Sequence, residues 1–221
     1  MFIRRKIVAA LTACVCVVAC QSDQGDDLSR ADIAKVAELQ AGFGPSFTTN
    51  AVGPAAVDPR LLAPSTLPAG LTFDPADCAA SADRRSVPEG TKGNMAAVTA
   101  EGDGVRYIVI AVETSEPVPV DAPGEQCRKV AFSGSGVRGL VEVVEAPQIA
   151  HTETVGTHRI LQTTTAQGPR TGELYNYVAK FGNFVVIVTA NPLVVADKPV
   201  ADVDTARARD LVTQAVRLVR N

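Results

Sequence analysis

The residue pattern predicts an α+β domain, an antiparallel β-sheet packed by a C-terminal helix and short N-terminal helices. From Asn94 to Ala190 the chain is a succession of apolar runs rich in Val, Ile, Tyr and Phe, separated by turns that contain glycine. The final stretch, "DTARARDLVTQAVRLVR", places Ala208, Leu211, Val212, Ala215, Leu218 and Val219 on one helical stripe, with Asp204 as its cap. Such a stripe needs a sheet to cover. Upstream of Asn94 the chain is rich in Gly, Pro, Ser and Thr and leaves room only for brief helices.

At the N-terminus, Arg4, Arg5 and Lys6 precede the apolar run Ile7 to Ala19, which is of secretory length and too short to cross a bilayer. This predicts a signal peptide over residues 1–19. Its end, Val17-Val18-Ala19-Cys20, resembles the lipobox of bacterial lipoproteins. The resemblance implies palmitate-type diacylation of the Cys20 thiol, cleavage before it, and acylation of the new amino group. One acyl chain binds a membrane marginally, whereas two or more anchor stably. Residues 20–30 then form the lipidated cysteine and a polar tether, "QSDQGDDLS" among them, and residues 31–221 a single extracytoplasmic domain. The alternative is a plain secretory signal cut near Ala19.

The whole chain of 221 residues carries a formal charge of −3, and losing Arg4, Arg5 and Lys6 takes the mature form to −6. That balance speaks against nucleic acid and against polybasic contact with anionic headgroups. Of the five cysteines, Cys14 and Cys16 leave with the signal and Cys20 is lipidated. Cys78 and Cys127 remain, and an even pair in an oxidising compartment reads as one disulfide, the alternative being two separate buried thiols. No CxxC or HExxH spacing exists and the chain has two histidines, so no metal is expected.

Taking the elements in order, Leu28 to Gln40 sets Ile33, Val36, Ala37 and Gln40 at helical spacing. An edge strand is expected near Ser46 to Val52. Asp74-Pro75 offers a cap and a first-turn proline for a short helix carrying Cys78. "NMAAVTAE" and "VRYIVIAVETS" flank a Gly-Asp-Gly turn, and the second strand, apolar on both faces, is expected at the centre of the sheet. "CRKVAFS", "GLVEVVEA", "HRILQTTT", "GELYNYVAKF" and "FVVIVTA" supply five more strands. Gly182-Asn183 suits a two-residue type II′ turn, which pairs Phe181 with Phe184. Counting by twos then sets Tyr175, Tyr177, Ala179, Phe181, Phe184, Val186 and Val188 on one face, expected to be core beneath the terminal helix.

Several patterns invite a chemical reading. Gly134, Gly136 and Gly139 match the dinucleotide-binding spacing, but a strand rather than a helix follows them, so no cofactor is expected. His151, His158 and Glu153 suggest a metal site or a base with its orienter. No nucleophile elbow accompanies them, and the two histidines read as ordinary surface or strand-end residues without partners. Glu113, Glu116, Glu142 and Glu145 read as solvated strand positions. No catalytic residue is assigned, and the chain is not expected to be an enzyme.

"LPAGLTFDPADCA", "KGNMAAVTAEGDGVRYIVIAVETSEPV", "GEQCRKVAFSG", "GLVEVVEAPQI" and "RTGELYNYVAKFGNFVVIVTANPLV" resemble a family of actinobacterial, chiefly mycobacterial, lipoproteins catalogued as a domain of unknown function. The similarity spans about residues 31 to 219. More distantly, the arrangement is similar to secreted sensor-like domains of the same bacteria, a kinase ectodomain class among them. The resemblance implies a ligand-sensing module. Together with the lipobox and the acidic charge, it leads to the expectation of a membrane-anchored, extracytoplasmic binding or recognition module. Its expected contacts are the membrane, through acylated Cys20, and an envelope ligand or protein. A lipid or glycolipid carrier is the alternative and requires an apolar cavity of more than about 300 Å³; a hydrolase is the third.

Overall fold

A computed structural model describes residues 27–62, 67–83, 86–118, 122–134, 136–166, 168–195 and 199–221. The expected signal peptide, Cys20 and most of the tether lie outside the described residues. Among the described residues, nine strands form one antiparallel sheet: β1 (Phe47–Ala56), β2 (Thr72–Asp74), β3 (Gly93–Gly102), β4 (Val105–Thr114), β5 (Lys129–Gly134), β6 (Val137–Val144), β7 (Glu153–Thr165), β8 (Gly168–Phe181) and β9 (Phe184–Pro192). Their spatial order is β1-β3-β4-β9-β8-β7-β6-β5-β2. The helices are α1 (Pro59–Leu62), α2 (Ala79–Ala82) and the sixteen-residue α3 (Thr205–Arg220). The α+β reading holds; β4 is interior and largely buried, but it is third from the β1 edge and β8 takes the central position.

One face of the sheet carries the main core. Ala96, Val98, Tyr107, Val109, Tyr177, Phe181, Phe184, Val186 and Val188 meet the buried stripe of α3. That stripe is Ala208, Leu211, Val212, Ala215, Val216 and Val219, so Val216 takes the buried place expected for Leu218. Each fully buried aliphatic chain contributes about 1.5–3 kcal/mol, so this interface dominates the stability of the domain. Asp204 caps α3 by accepting from the Arg207 amide at 2.9 Å. The Arg207 guanidinium lies over Phe47 at 4.5 Å and Phe43 at 5.1 Å and donates to the Phe43 carbonyl at 2.9 Å. At the other end, Arg220 covers Phe181 at 4.7 Å and donates to the carbonyls of Ala150 and His151. Both ends of α3 are thus clamped to the sheet.

The expected helix near residue 30 is a 3-10 segment, Ile33–Gly42, whose buried residues are Ile33, Val36 and Leu39. That strict period of three is the 3-10 repeat, which replaces the α-helical register through Ala37 and Gln40. Asp32 caps it by accepting from Ala34 at 2.8 Å. The Asp74-Pro75 expectation also shifts: Asp74 ends β2, and Pro75 precedes a 3-10 turn, Ala76–Cys78, that runs into α2.

The opposite face buries two further clusters. Met95, Ala97, Ile110, Val112, Val185 and Ile187 pack with Val87, Leu62 and Val57, so the face expected to be mixed is also core at its centre. By strand alternation the same face, at the β5–β6 end, holds Cys78, Cys127, Val130, Phe132 and Val141. Between the two clusters sits Arg159, whose guanidinium pKa is lowered by burial and partly restored by Asp83.

Candidate recognition surface

α3 packs on β4, β9 and β8, and among the described residues no helix packs comparably on the same face over β7, β6, β5 and β2. Strand register arranges that bare face in three cross-strand rows. The inner row is Tyr175, His158, Glu142 and Lys129. The middle row is Glu173, Ile160, Leu140, Ala131 and Asp74, and the outer row is Thr171, Gln162, Arg138, Ser133 and Thr72. All of the middle and outer rows except Glu173 line an open trough of about 610 Å³, which Phe73, Phe132 and Gly139 also border. Its floor is aliphatic, with Ile160 exposed to 36%. Its rim is polar: Arg138 Nε donates to Gln162 Oε1 at 2.7 Å, and Gln162 Nε2 donates to Thr171 Oγ1 at 3.4 Å.

The inner row closes the trough toward α3. His158 is 8% exposed, with Nδ1 at 3.0 Å from Glu142 Oε1 and Nε2 at 2.7 Å from Glu173 Oε1. Both contacts are hydrogen bonds at once only when the ring carries both protons. Its ring stacks on Tyr175 at 4.2 Å with planes 8° apart. Lys129 Nζ stands 4.0 Å from the other oxygen of Glu142. The expectation that His158 lacks partners and that Glu142 is simply solvated is therefore corrected, because pairing of β6, β7 and β8 brings three ionisable residues from three strands into contact. His151 is exposed in a turn at φ +51°, and Glu113, Glu116, Glu145 and Glu153 are exposed.

Burial pushes the Tyr175 phenol up to about 12, with the Glu173 carboxylate, which accepts its hydrogen bond, adding to the effect. Tyr177 is raised by burial against the lowering contact of Arg209, and Tyr107 by burial and the charge of Asp204. These are the three tyrosines of the chain. A raised tyrosine favours the fold fully below its unfolded value of 10.0, and that contribution disappears as pH rises through the folded value. Absorbance titration of the folded protein should show the tyrosinate steps displaced above 10.0, with that of Tyr175 up to about 12. In denaturant all three should ionise near 10; a reversible step there in the native protein would contradict the assignment.

Gly134 and Gly136, at φ +150° and +76°, shape the β5–β6 turn, and Gly139 lies within β6, where a Cβ would stand 2.4 Å from the Phe132 ring. The dinucleotide spacing thus belongs to a hairpin. Cys78 and Cys127 are joined as a disulfide with Cα atoms 5.3 Å apart. Arg138, Leu140, Ile160, Gln162 and Glu173 belong to this surface without having been singled out in the sequence, and Asp74 was read only as a helix cap. The alternation Arg138, Leu140, Glu142 in β6 was the signal available, once that strand's open face is known.

This is a single-sheet α+β domain with one helix-covered face and an open trough beside it. The chain belongs to the family described as Domain of unknown function (DUF5642), which matches residues 32–220. It is similar to the X-ray structure of an uncharacterised protein from Mycobacterium smegmatis, the Rv0999 ortholog. That match has 59% identity and a TM-score of 0.82, covering 87% of this chain and 98% of that one. A second match, at 12% identity and a TM-score of 0.36, is the extracellular domain of PknH from Mycobacterium tuberculosis, covering 88% of this chain and 98% of that one. No curated protein matches the chain.

Proposed function

We propose that this protein is an extracytoplasmic recognition module, held on the membrane by acylated Cys20, whose ligand surface is the open trough over β5, β6 and β7. The observation that carries the reading is the bare, partly aliphatic end of a sheet face whose remainder is tightly covered. A contiguous apolar floor with a polar rim is the composition of binding surfaces. The Cys78–Cys127 disulfide supports an oxidising compartment, and the sequence before it supports export. We also propose a non-enzymatic role. His158, the buried histidine, turns both ring nitrogens to Glu142 and Glu173, and among the described residues neither nitrogen contacts a serine or thiol as a base would.

The carrier alternative needs an acyl chain shielded on all sides, whereas the trough is open along its length and would leave such a chain half in water. Mass spectrometry of lipids and small molecules copurifying with the protein from its native envelope separates the two, since a stoichiometric lipid would establish the carrier. Crosslinking in intact cells, with a photoreactive residue at Ile160 and another on the outer face of α3, should trap a partner from the first position only. Cys20→Ala should abolish acylation and signal cleavage, raise the mass of the polypeptide, and change detergent partitioning. A variant that partitions and weighs as the parent does would remove the anchor.

A further inference from the structure

Both edges of the sheet are blunted against strand addition. β1 carries Pro54 and a register shift between Val52 and Ala55, and β2 is three residues long. Any occupant of the trough therefore lies on the sheet face rather than at its edge. Phe73 and Phe132 border the trough, but by strand alternation their rings pack in the cluster around the disulfide on the opposite face, so neither lies flat on the floor to stack a sugar. It is instead an aliphatic strip, Ala131, Leu140 and Ile160, that ends at β2 in the exposed carboxylate of Asp74. No cationic residue shares that row. At the other end Glu173 is already held by His158 and Tyr175. The adjoining outer row presents hydroxyls, an amide and a guanidinium, the groups that pair with peptide amides.

From Asp74 to Glu173 the row crosses four strand-to-strand gaps of about 4.8 Å, roughly 19 Å, which an extended chain spans with about six residues. We propose that the trough binds an extended polypeptide segment of a partner protein, aliphatic where it crosses Leu140 and Ile160 and basic where it reaches Asp74. This rests on the trough being the recognition surface. Geometry also places it well for a partner: the tether enters beside Gly182 and Val219, whereas Thr171, Gln162 and Arg138 lie toward the opposite end of β8.

The test is an immobilised hexapeptide library, randomised at every position, probed with the full exported chain in detergent. The expected result is at least tenfold enrichment of Leu, Ile or Val at central positions and of Lys or Arg at one end. Leu140→Asp should abolish the enrichment, and Asp74→Lys, at an exposed position, should reverse the terminal preference from basic to acidic. A neutral hexasaccharide and phosphatidylcholine vesicles form parallel arms. Binding in either of those, lost in Leu140→Asp, overturns the polypeptide assignment and leaves the trough as a recognition surface. Peptide enrichment that neither substitution changes overturns the assignment to the trough. Absence of binding in every arm overturns both this inference and the recognition reading.

Discussion

Replacing Cys78 by serine should lower the melting temperature by about 8–16 °C. The disulfide spans 49 residues, and closing such a loop removes denatured-chain entropy worth about 4 kcal/mol in the chain-entropy model. Against the roughly 5–15 kcal/mol of a typical domain that is a large share. Packing adds to it, because Cys78 is fully buried and the bond is the centre of the cluster formed with Ala82, Val130, Phe132 and Val141. Removing it also unties α2 from the β5 and β6 side chains on which it packs. In the native protein, peptides containing Cys78 and Cys127 should stay unlabelled by a thiol probe under denaturing conditions, and become labelled after reduction. In Cys78→Ser, Cys127 should label without reductant. A variant melting within a degree or two of the parent would show that the link adds nothing the core does not already supply.

The sheet was legible in the sequence where a turn fixed a register. Gly182-Asn183 predicts Phe181 opposite Phe184, and the structure pairs them, so every alternate residue of β8 and β9 falls on its expected face. The stripe on α3 and its Asp204 cap were legible for a similar reason, since both are local signals. The first helical segment misled in detail. Ile33, Val36 and Leu39 repeat every three residues, a period close enough to 3.6 over ten residues to be read as α-helix.

The trough was hidden because it depends on where helix cover ends, which no local pattern records. Tyr175 shows this most plainly. It shares the helix-side face with Tyr177 and Phe181, and all three were expected beneath the terminal helix, yet α3 shelters Tyr177 fully and leaves Tyr175 at its margin to stack on His158. Glu142, His158 and Glu173 lie 16 and 15 residues apart along the chain and meet only through the paired registers of β6, β7 and β8. The β7–β8 hairpin that fixes half of that arrangement turns after Thr165, with β8 starting at Gly168, four residues before the expected strand "GELYNYVAKF".

That same cluster carries the second large effect. His158→Leu should destabilise the domain by about 2–3 kcal/mol. Removing the ring takes away the hydrogen-bonding partner of two carboxylates, and a hydrogen bond to a charged group is worth about 1.5–3 kcal/mol. Here both carboxylates are about a third exposed, at 33% and 34%, so solvent screens part of that loss. The substitution leaves Glu142 and Glu173 on either side of an apolar side chain, with Lys129 at 4.0 Å as the nearest compensation for Glu142. Adding Glu142→Gln and Glu173→Gln to His158→Leu should recover most of the loss, since neutral amides tolerate the leucine where paired carboxylates do not. The single glutamate variants should be milder than His158→Leu, because each leaves the ring one carboxylate partner. Denaturant unfolding of the singles, the doubles and the triple gives the coupling directly. A triple variant no more stable than His158→Leu would show that the stacked imidazole acts by filling space against Tyr175 and that the two carboxylates contribute no electrostatic coupling.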